Sequence, residues 1–486
     1  LIILFFLSND LTVFSNYKIF FLSEKISVEI GKNYYQELMN SNFSVFQKVH
    51  PSEVIKKLNL EIPAISTTIV QPILMSISKV LIFIIFLLFI LINFSLIIII
   101  YLALIFIFYV TLFFIFKKLL FKYGQDISLL YGRINKIFYE TINNFQILKL
   151  LKKGSHFKED IERSLNDQAK KKSLGYLISQ FPKSFLEFVI FSIFTLFLIK
   201  NFGYGQKNFL EFIPLVGAFA FIGYRCLPIG QQIYSSFTII QSSQFLLDKI
   251  YKDFSNFGKK LVFQKKGKKI KFKNIILKNI FFKYQKQNEF IIKNFNFNFK
   301  KNNIYLVKGV SGRGKTTLVN IIMGFLKPVK GNIKFNNKEL NEKNVSIFQS
   351  NVILSPQFPY LFNETIEKNI TLEFNDKKNI NFKKLDIICN QLNIKKELKQ
   401  FFGNPNKKIG PKSNNLSGGQ IQRISLARAL YNERELMIFD EPTNNLDNTN
   451  KKNVLNMIKS IKKNKIIIIL SHDLDLDKYN FNNVVF

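Results

Sequence analysis

Between Lys79 and Lys117 the chain runs for about 37 residues, Val80–Phe116, without a charged side chain. As helix, that run measures roughly 55 Å, nearly two crossings of a hydrocarbon layer about 30 Å thick. No core helix of a soluble protein is that long, so the run predicts a membrane hairpin. One span is expected at about 68–92, a tight turn at "NFS", and a second span at about 96–116. Two later apolar stretches predict another hairpin, with spans at about 184–200 and 209–230 and the Gly-containing turn "KNFGYGQK" near their junction. The apolar start, about 1–22, predicts one more. Segments 23–66 and 117–183 are polar and helical in pattern and read as cytoplasmic extensions, the second marked by its Lys/Arg load, because positive charge is retained on the cytoplasmic side. The chain begins at Leu1 without Met and ends on "FNNVVF", which reads as a strand cut short. A longer parent chain is therefore expected, with a span ahead of Leu1 making six.

Two charges fall in or near these spans. Glu187 follows Pro182 at the start of one, and Arg225 stands in "FIGYRCLP" at the end of another. A charge deep in a bilayer costs on the order of 3 kcal/mol, which makes both candidates for substrate contact. The plainer alternative is that Arg225 snorkels to an interface or pairs with Glu187.

The formal net charge of +36 raises nucleic acid as a partner. Its Lys residues, however, are spread along the chain among many Asn, Ile and Phe, and no aromatic–basic stacking module stands out. The charge reads as solvated faces and cytoplasmic flanks, and no nucleic acid is expected. Cys226 and Cys389 lie far apart and predict neither a disulfide framework nor a metal site.

Past a linker at 256–270, residues 271–486 alternate short apolar runs with Lys, Asn and Gly, as a soluble α/β domain does. "IYLVKGVSGRGKTTLVNIIMGF" reads as strand, glycine loop and helix. Loop and helix N–H groups there point at phosphate oxygens, Lys315 reaches the β- and γ-phosphates, and Thr316 offers its hydroxyl to Mg²⁺. In "ELMIFDEP", Leu436–Phe439 is apolar, as a buried parallel strand should be. Asp440 at its end suits Mg²⁺, and Glu441 suits orientation or deprotonation of an attacking water. In "LSGGQIQRISLARAL", Ser417 is a natural N-cap, and Gly418 and Gly419 allow close backbone approach. A phosphate group has no obvious use for two helix N-termini of one subunit, which hints at a composite site shared by two copies.

"GVSGRGKTT", "LSGGQ" and "MIFDEP", in this order, resemble the ATP-binding cassette (ABC) family. The resemblance covers the soluble half. It implies that ATP is held by Tyr284, by Gly309, Val310, Ser311, Gly312, Arg313, Gly314, Lys315, Thr316 and Thr317, and by Ser417, Gly418, Gly419, Gln420 and Asp447. It implies Mg²⁺ at Thr316, Gln357 and Asp440, and catalytic roles for Glu441, His472, Lys315 and Gln357. Departures are Thr316, where the family commonly has Ser, and Asn444 and Asn445, where it commonly has Ser-Ala. The expected fold is a multidomain membrane protein. An α-helical transmembrane bundle of the ABC exporter type (1–255, missing its first span) precedes an α/β P-loop NTPase cassette (271–486). The implied partners are a second copy or a paralogous half-transporter and membrane lipids. The implied location is the bacterial inner membrane, with the cassette in the cytoplasm.

A narrower resemblance lies in the membrane half. "FQKVHPSEVIKKLNLEI", "QILKLLKK", "SQFPKSFLE" and "GYRCLP" are similar to bacterial flippases of lipid-linked oligosaccharides, whose pyrophosphate an Arg at position 225 would suit. Those flippases often carry a further basic residue where this chain has Gln232. A multidrug, lipid or peptide exporter is the alternative cargo class. A soluble ABC ATPase acting on nucleic acid or ribosomes is the distant one, and it would lack membrane spans.

Overall fold

Long uninterrupted helices follow from the long apolar runs, because a backbone in hydrocarbon must satisfy its hydrogen bonds within the segment. A computed structural model describes residues 2–93, 96–202, 209–257, 270–284, 287–309, 314–374, 380–404, 406–410, 416–479 and 481–485. The chain divides into two units, Leu1–Ser41 with Val45–Lys260, and Asn42–Ser44 with Leu261–Phe486.

The first unit holds α1 (Ile2–Asn40), α3 (Pro51–Lys56), α4 (Ile62–Ile65), α5 (Gln71–Asn93), α6 (Leu96–Asn143), α7 (Phe145–Leu150), α8 (Gly154–Phe202) and α9 (Phe209–Asn256), while the short α2 (Phe43–Phe46) is divided between the two, Phe43 and Ser44 belonging to the second. Two π-turns, Lys57–Glu61 and Ser66–Val70, flank α4 and join α3 to α5. Among the described residues, the helical run Pro51–Ile85 is long and apolar enough to cross a membrane. α6, α8 and α9 have 48, 49 and 48 residues. Each is about 70 Å long, more than twice the hydrocarbon thickness. The polar stretch after Lys117 is therefore the continuation of the apolar helix and not a separate element. α8 likewise runs through Pro182, where hydropathy alone suggests a boundary. The periodic stretch "INKIFYETINNFQILKLL" is interrupted once, at Asn144 between α6 and α7. The expected turns fall partly at 94–95 and 203–208, and most of the linker at 258–269, outside the described residues.

Tyr34 and Leu38 of α1 pack with Ile62, Ile65, Ile69, Leu246, Ile250 and Phe257. Beside them lies a buried charge network. Glu61 accepts from Lys249 at 2.7 Å and from Ser128 at 3.1 Å, and Lys56 stands 3.0 Å away. Lys56 also donates to the Ser128 carbonyl at 2.6 Å, and Lys57 pairs with Asp253. α6 and α9 meet backbone to backbone at Gly124, where an added Cβ would sit 1.7 Å from the Ser242 carbonyl oxygen.

The second unit is two sheets with helices. β1 (Asn274–Phe282), β2 (Ile292–Lys300), β4 (Lys330–Phe335) and β5 (Lys338–Glu339) form an antiparallel sheet in the order β2-β1-β4-β5. β6 (Val352–Ser355), β7 (Leu436–Asp440), β8 (Ile466–Leu470), β3 (Asn303–Lys308) and β9 (Asn482–Val485) form a parallel sheet in that order. Burial of both faces explains why β8 is Ile-Ile-Ile-Ile-Leu and why β7 is apolar up to Asp440. The helices are α10 (Lys315–Ile322), α11 (Val345–Gln349), α12 (Ile366–Thr371), α13 (Phe382–Gln391), α14 (Ile394–Glu397), α15 (Gly418–Tyr431) and α16 (Asn448–Ser460).

Candidate functional site

Ligands of open α/β sheets bind beyond the carboxyl ends of the strands. The register puts Asp440 of β7 opposite Leu470 of β8, and Leu470 opposite Val307 of β3. One edge therefore gathers Gly309 after β3, Asp440 and Glu441 at the end of β7, and Ser471 and His472 after β8. Gln357 follows β6 at the same edge, two residues past Ser355, and is half-buried.

Gly314 has φ of +99°, left-handed backbone that opens α10 with Lys315 as its first residue. Val310, Ser311, Gly312 and Arg313 lie outside the described residues. Lys315 Nζ donates to the Gly309 carbonyl at 2.9 Å and to a ring nitrogen of His472 at 2.6 Å, so that nitrogen is an acceptor. Partial burial lowers the Lys315 pKa, while Glu441 and Asp440 pull it back up. Thr316 is exposed, whereas Thr317 is buried with its hydroxyl 3.2 Å from the Tyr284 hydroxyl. The Tyr284 ring meets Phe282 edge-on at 5.1 Å.

The two neighbouring carboxylates differ. Burial raises the Asp440 pKa and the adjacent Glu441 charge adds to it, against Lys315 and His472. Glu441 is nearly dry and has φ of +49°, an unusual conformation for a residue with a Cβ. Its N–H donates to the Leu470 carbonyl at 2.9 Å, and its carbonyl accepts from Gln422 at 3.3 Å. One carboxylate oxygen accepts from the Ser471 hydroxyl at 3.2 Å, and the other lies 3.6 Å from His472 Nε2.

α15 begins with a capping box. Ser417 Oγ accepts from the Gln420 N–H at 3.2 Å, and Gln420 Oε1 accepts from the Ser417 N–H at 3.0 Å. Gly418 and Gly419 form the first turn. A Cβ on Gly419 would lie 2.7 Å from the Asn445 carbonyl oxygen, so glycine is required there. Gln420 also donates to Glu397 at 3.2 Å, and Arg423 grips the same carboxylate with both Nη atoms. The Arg423 bonds hold the Glu397 carboxyl below the usual range. Asp447 caps α16, its carboxyl held down by hydrogen bonds from Thr449 and Asn450.

Of the candidates in the membrane half, Glu187 is half exposed and lies 3.8 Å from Lys183, one helical turn away. The side chain of Arg225 lies outside the described residues. Gln422, Ser471, Asn445 and Glu397 hold the site together, although no chemical role is read for any of them from the sequence. Ser471 and Gln422 each stand within two residues of a motif residue, and that adjacency is their signal in the sequence. Glu397 has none.

Residues 292–444 match the family model described as ABC transporter, and residues 1–219 match that described as ABC transporter transmembrane region. A "Probable ABC transporter ATP-binding/permease protein" of Haemophilus influenzae is 33% identical over 162 residues, 33% of this chain and 29% of the relative. "Multidrug resistance protein pgp-1" of Caenorhabditis elegans is 32% identical over 164 residues, 34% of this chain and 12% of the relative. The chain thus matches less than a third of the length of these curated relatives. Among solved structures, "Structure of a bacterial Atm1-family ABC exporter with ATP bound" aligns with a TM-score of 0.80 at 16% identity, over 96% of this chain and 81% of that one. At that identity the likeness is one of fold. The chain belongs to the ABC transporter family, with the family's transmembrane region ahead of its ATP-binding cassette.

Proposed function

We propose that this chain is one half of an ATP-driven exporter that hydrolyses ATP at a site completed by a second copy or a paralogue. The observation that carries this is the convergence of Lys315, Asp440, Glu441 and His472 at one sheet edge, in a chain whose transmembrane region precedes the cassette. Lys315, whose charge Glu441 and Asp440 favour, is placed to exchange its bond to His472 for phosphate oxygens. Glu441 is the base that orients or deprotonates the attacking water. His472, 3.6 Å from Glu441, is placed to contact the terminal phosphate. Tyr284 would stack on adenine. The start of α15, Ser417–Gln420, would meet nucleotide on the phosphate loop of the partner, and Asp447 would cross the same interface.

Thr316 hydroxyl, Gln357 amide and Asp440 carboxylate offer oxygen donors of the kind a small hard cation takes, so the donor set fits Mg²⁺. Bound there with ATP, Mg²⁺ would supply neutralisation of phosphate charge. Nucleotide-driven closure of two cassettes would then drive alternating access of paired membrane domains.

For cargo we favour a lipid-linked oligosaccharide or another lipid. That preference rests on the membrane-half segments named above and on Arg225 as a partner for pyrophosphate. The name of the Caenorhabditis relative supports a multidrug exporter as the alternative, beside a peptide exporter. The location we infer is a bacterial inner membrane, with the boundaries 1–255, 256–270 and 271–486 for membrane domain, linker and cassette.

The test is ATPase activity in proteoliposomes with and without a polyprenyl-diphosphate oligosaccharide. Stimulation that disappears in Arg225→Ala supports the lipid-linked sugar. Basal activity without stimulation removes that cargo and leaves drugs, other lipids and peptides. Absence of ATPase activity in the wild type would sink the transporter itself.

A further inference from the structure

We propose that Ser471, the residue before His472, is a positioning residue that aims the Glu441 carboxylate and ties its orientation to the loop that carries His472. This rests on Glu441 acting as the base.

Ser471 is 1% exposed and Glu441 7%, so water does not compete for their polar atoms. The Ser471 hydroxyl has one proton and two lone pairs. A lone pair accepts the Asp473 N–H at 3.1 Å. That leaves the proton for Glu441 Oε2, 3.2 Å away, since the oxygens of a carboxylate accept. The direction of both bonds is thereby fixed.

The rest of Glu441 is already held. Its N–H is tied to Leu470 and its carbonyl to Gln422 of α15, and its φ of +49° persists because these bonds over-determine it. The side-chain torsions remain. With Oε2 fastened to Ser471, Oε1 is the oxygen on the His472 side, at 3.6 Å. A carboxylate that presents one chosen oxygen pre-organises a water, and misplacing such a group by an ångström costs large factors in rate. The same hydroxyl also reads the loop. Asp473 follows His472 directly, so a shift of that loop pulls on the Ser471 hydroxyl and turns the Glu441 carboxylate with it. Gln422 adds a second tie, from the helix that would serve the partner's nucleotide to the base that serves this chain's own.

The experiment compares the full chain, Ser471→Ala and Ser471→Thr in lipid nanodiscs, with Glu441→Gln beside them. Turnover, ATP affinity and thermal unfolding are measured for each. The expected result for Ser471→Ala is a fall in kcat of roughly tenfold, with ATP affinity and melting temperature near wild type. Ser471→Thr, which restores the hydroxyl, should recover most of the rate. If the buried site rejects the threonine methyl and that variant melts early, the alanine variant decides alone. Wild-type kcat in Ser471→Ala overturns the proposal, and so does a loss of rate matched by equal losses in affinity and melting temperature. Retained turnover in Glu441→Gln would sink Glu441 as base whatever Ser471 does. Lost turnover there with full activity in Ser471→Ala would sink the role of Ser471 alone.

Discussion

Two carboxylates sit almost entirely out of water in the two halves of this molecule, and they are treated in opposite ways. Glu61, in the helical unit, is 4% exposed and has Lys56, Lys249 and Ser128 around a single oxygen. Glu441, in the cassette, is 7% exposed and has a serine hydroxyl on one oxygen and a histidine ring 3.6 Å from the other. A buried charge costs several kcal/mol unless it is paired. Glu61 is paired with two ammonium groups and joins segments 188 residues apart in sequence. Glu441 is held by a hydroxyl and a ring instead of an ammonium group among the described residues, an arrangement that on the proposed function leaves an oxygen for water. On the proposed function, the difference separates a charge kept to fix helices from one kept for chemistry.

The largest effect that tests this contrast is expected in Glu441→Gln. Turnover should fall by about 10²–10⁴-fold while ATP binding and melting temperature stay near wild type. Phosphate release set against nucleotide affinity measures it, and a variant that still turned over would erase the distinction. Glu61→Ala should do the reverse. It leaves Lys56 and Lys249 near one another without their carboxylate, a loss of about 3–5 kcal/mol by analogy with broken buried pairs. Faster thermal inactivation with normal turnover per folded molecule is the expected reading. Unchanged inactivation would mean that the network does not hold α6 and α9.

Glu433 sharpens the contrast from inside the cassette. Burial pushes its pKa up, but bonds from Lys465 at 2.6 Å and Lys384 at 3.0 Å outweigh burial and leave it lowered. It should therefore behave like Glu61, though it lies close in sequence to Glu441. The folded pKa lies below the unfolded one. Its stabilisation is present at neutral pH and is lost as pH falls out of the ordinary carboxylate range toward the folded value. Melting temperature against pH should decline less steeply on the acid side in Glu433→Gln than in the wild type, with turnover at neutral pH unaltered. Equal slopes would show that Glu433 carries no linked stability.

What was legible in the sequence divides along the same line. His472 is legible only through the family resemblance, but Lys315, Ser417, Asp440 and Glu441 stand in contiguous stretches whose local geometry is dictated by a strand end or a helix start. A reader of the sequence finds them without knowing what lies across the sheet. Ser417 as N-cap and Leu436–Phe439 as a buried parallel strand both follow from such local rules. The Glu61 network follows from none, because its members are brought together by packing of α3 and the π-turn after it with α6 and α9 and leave no period in the sequence. Helix extent failed for a related reason. Hydropathy marks where the uncharged run of α6 stops, at Phe116, but not where its hydrogen bonding stops, at Asn143. Ser471 was hidden by size, since a small polar residue after a strand reads as a turn until its hydroxyl is seen against Glu441.

The contact at Gly124 bears on how such a molecule can move. With no side chain on α6 there and the Ser242 carbonyl pressed against it, the two helices have no layer of side chains to shear through at that point. A rod free to glide along its neighbour needs rotamers that can exchange partners, and backbone against backbone offers none. At this crossing α6 and α9 form a weld, and any flexing of the helical unit has to be taken up elsewhere along their length.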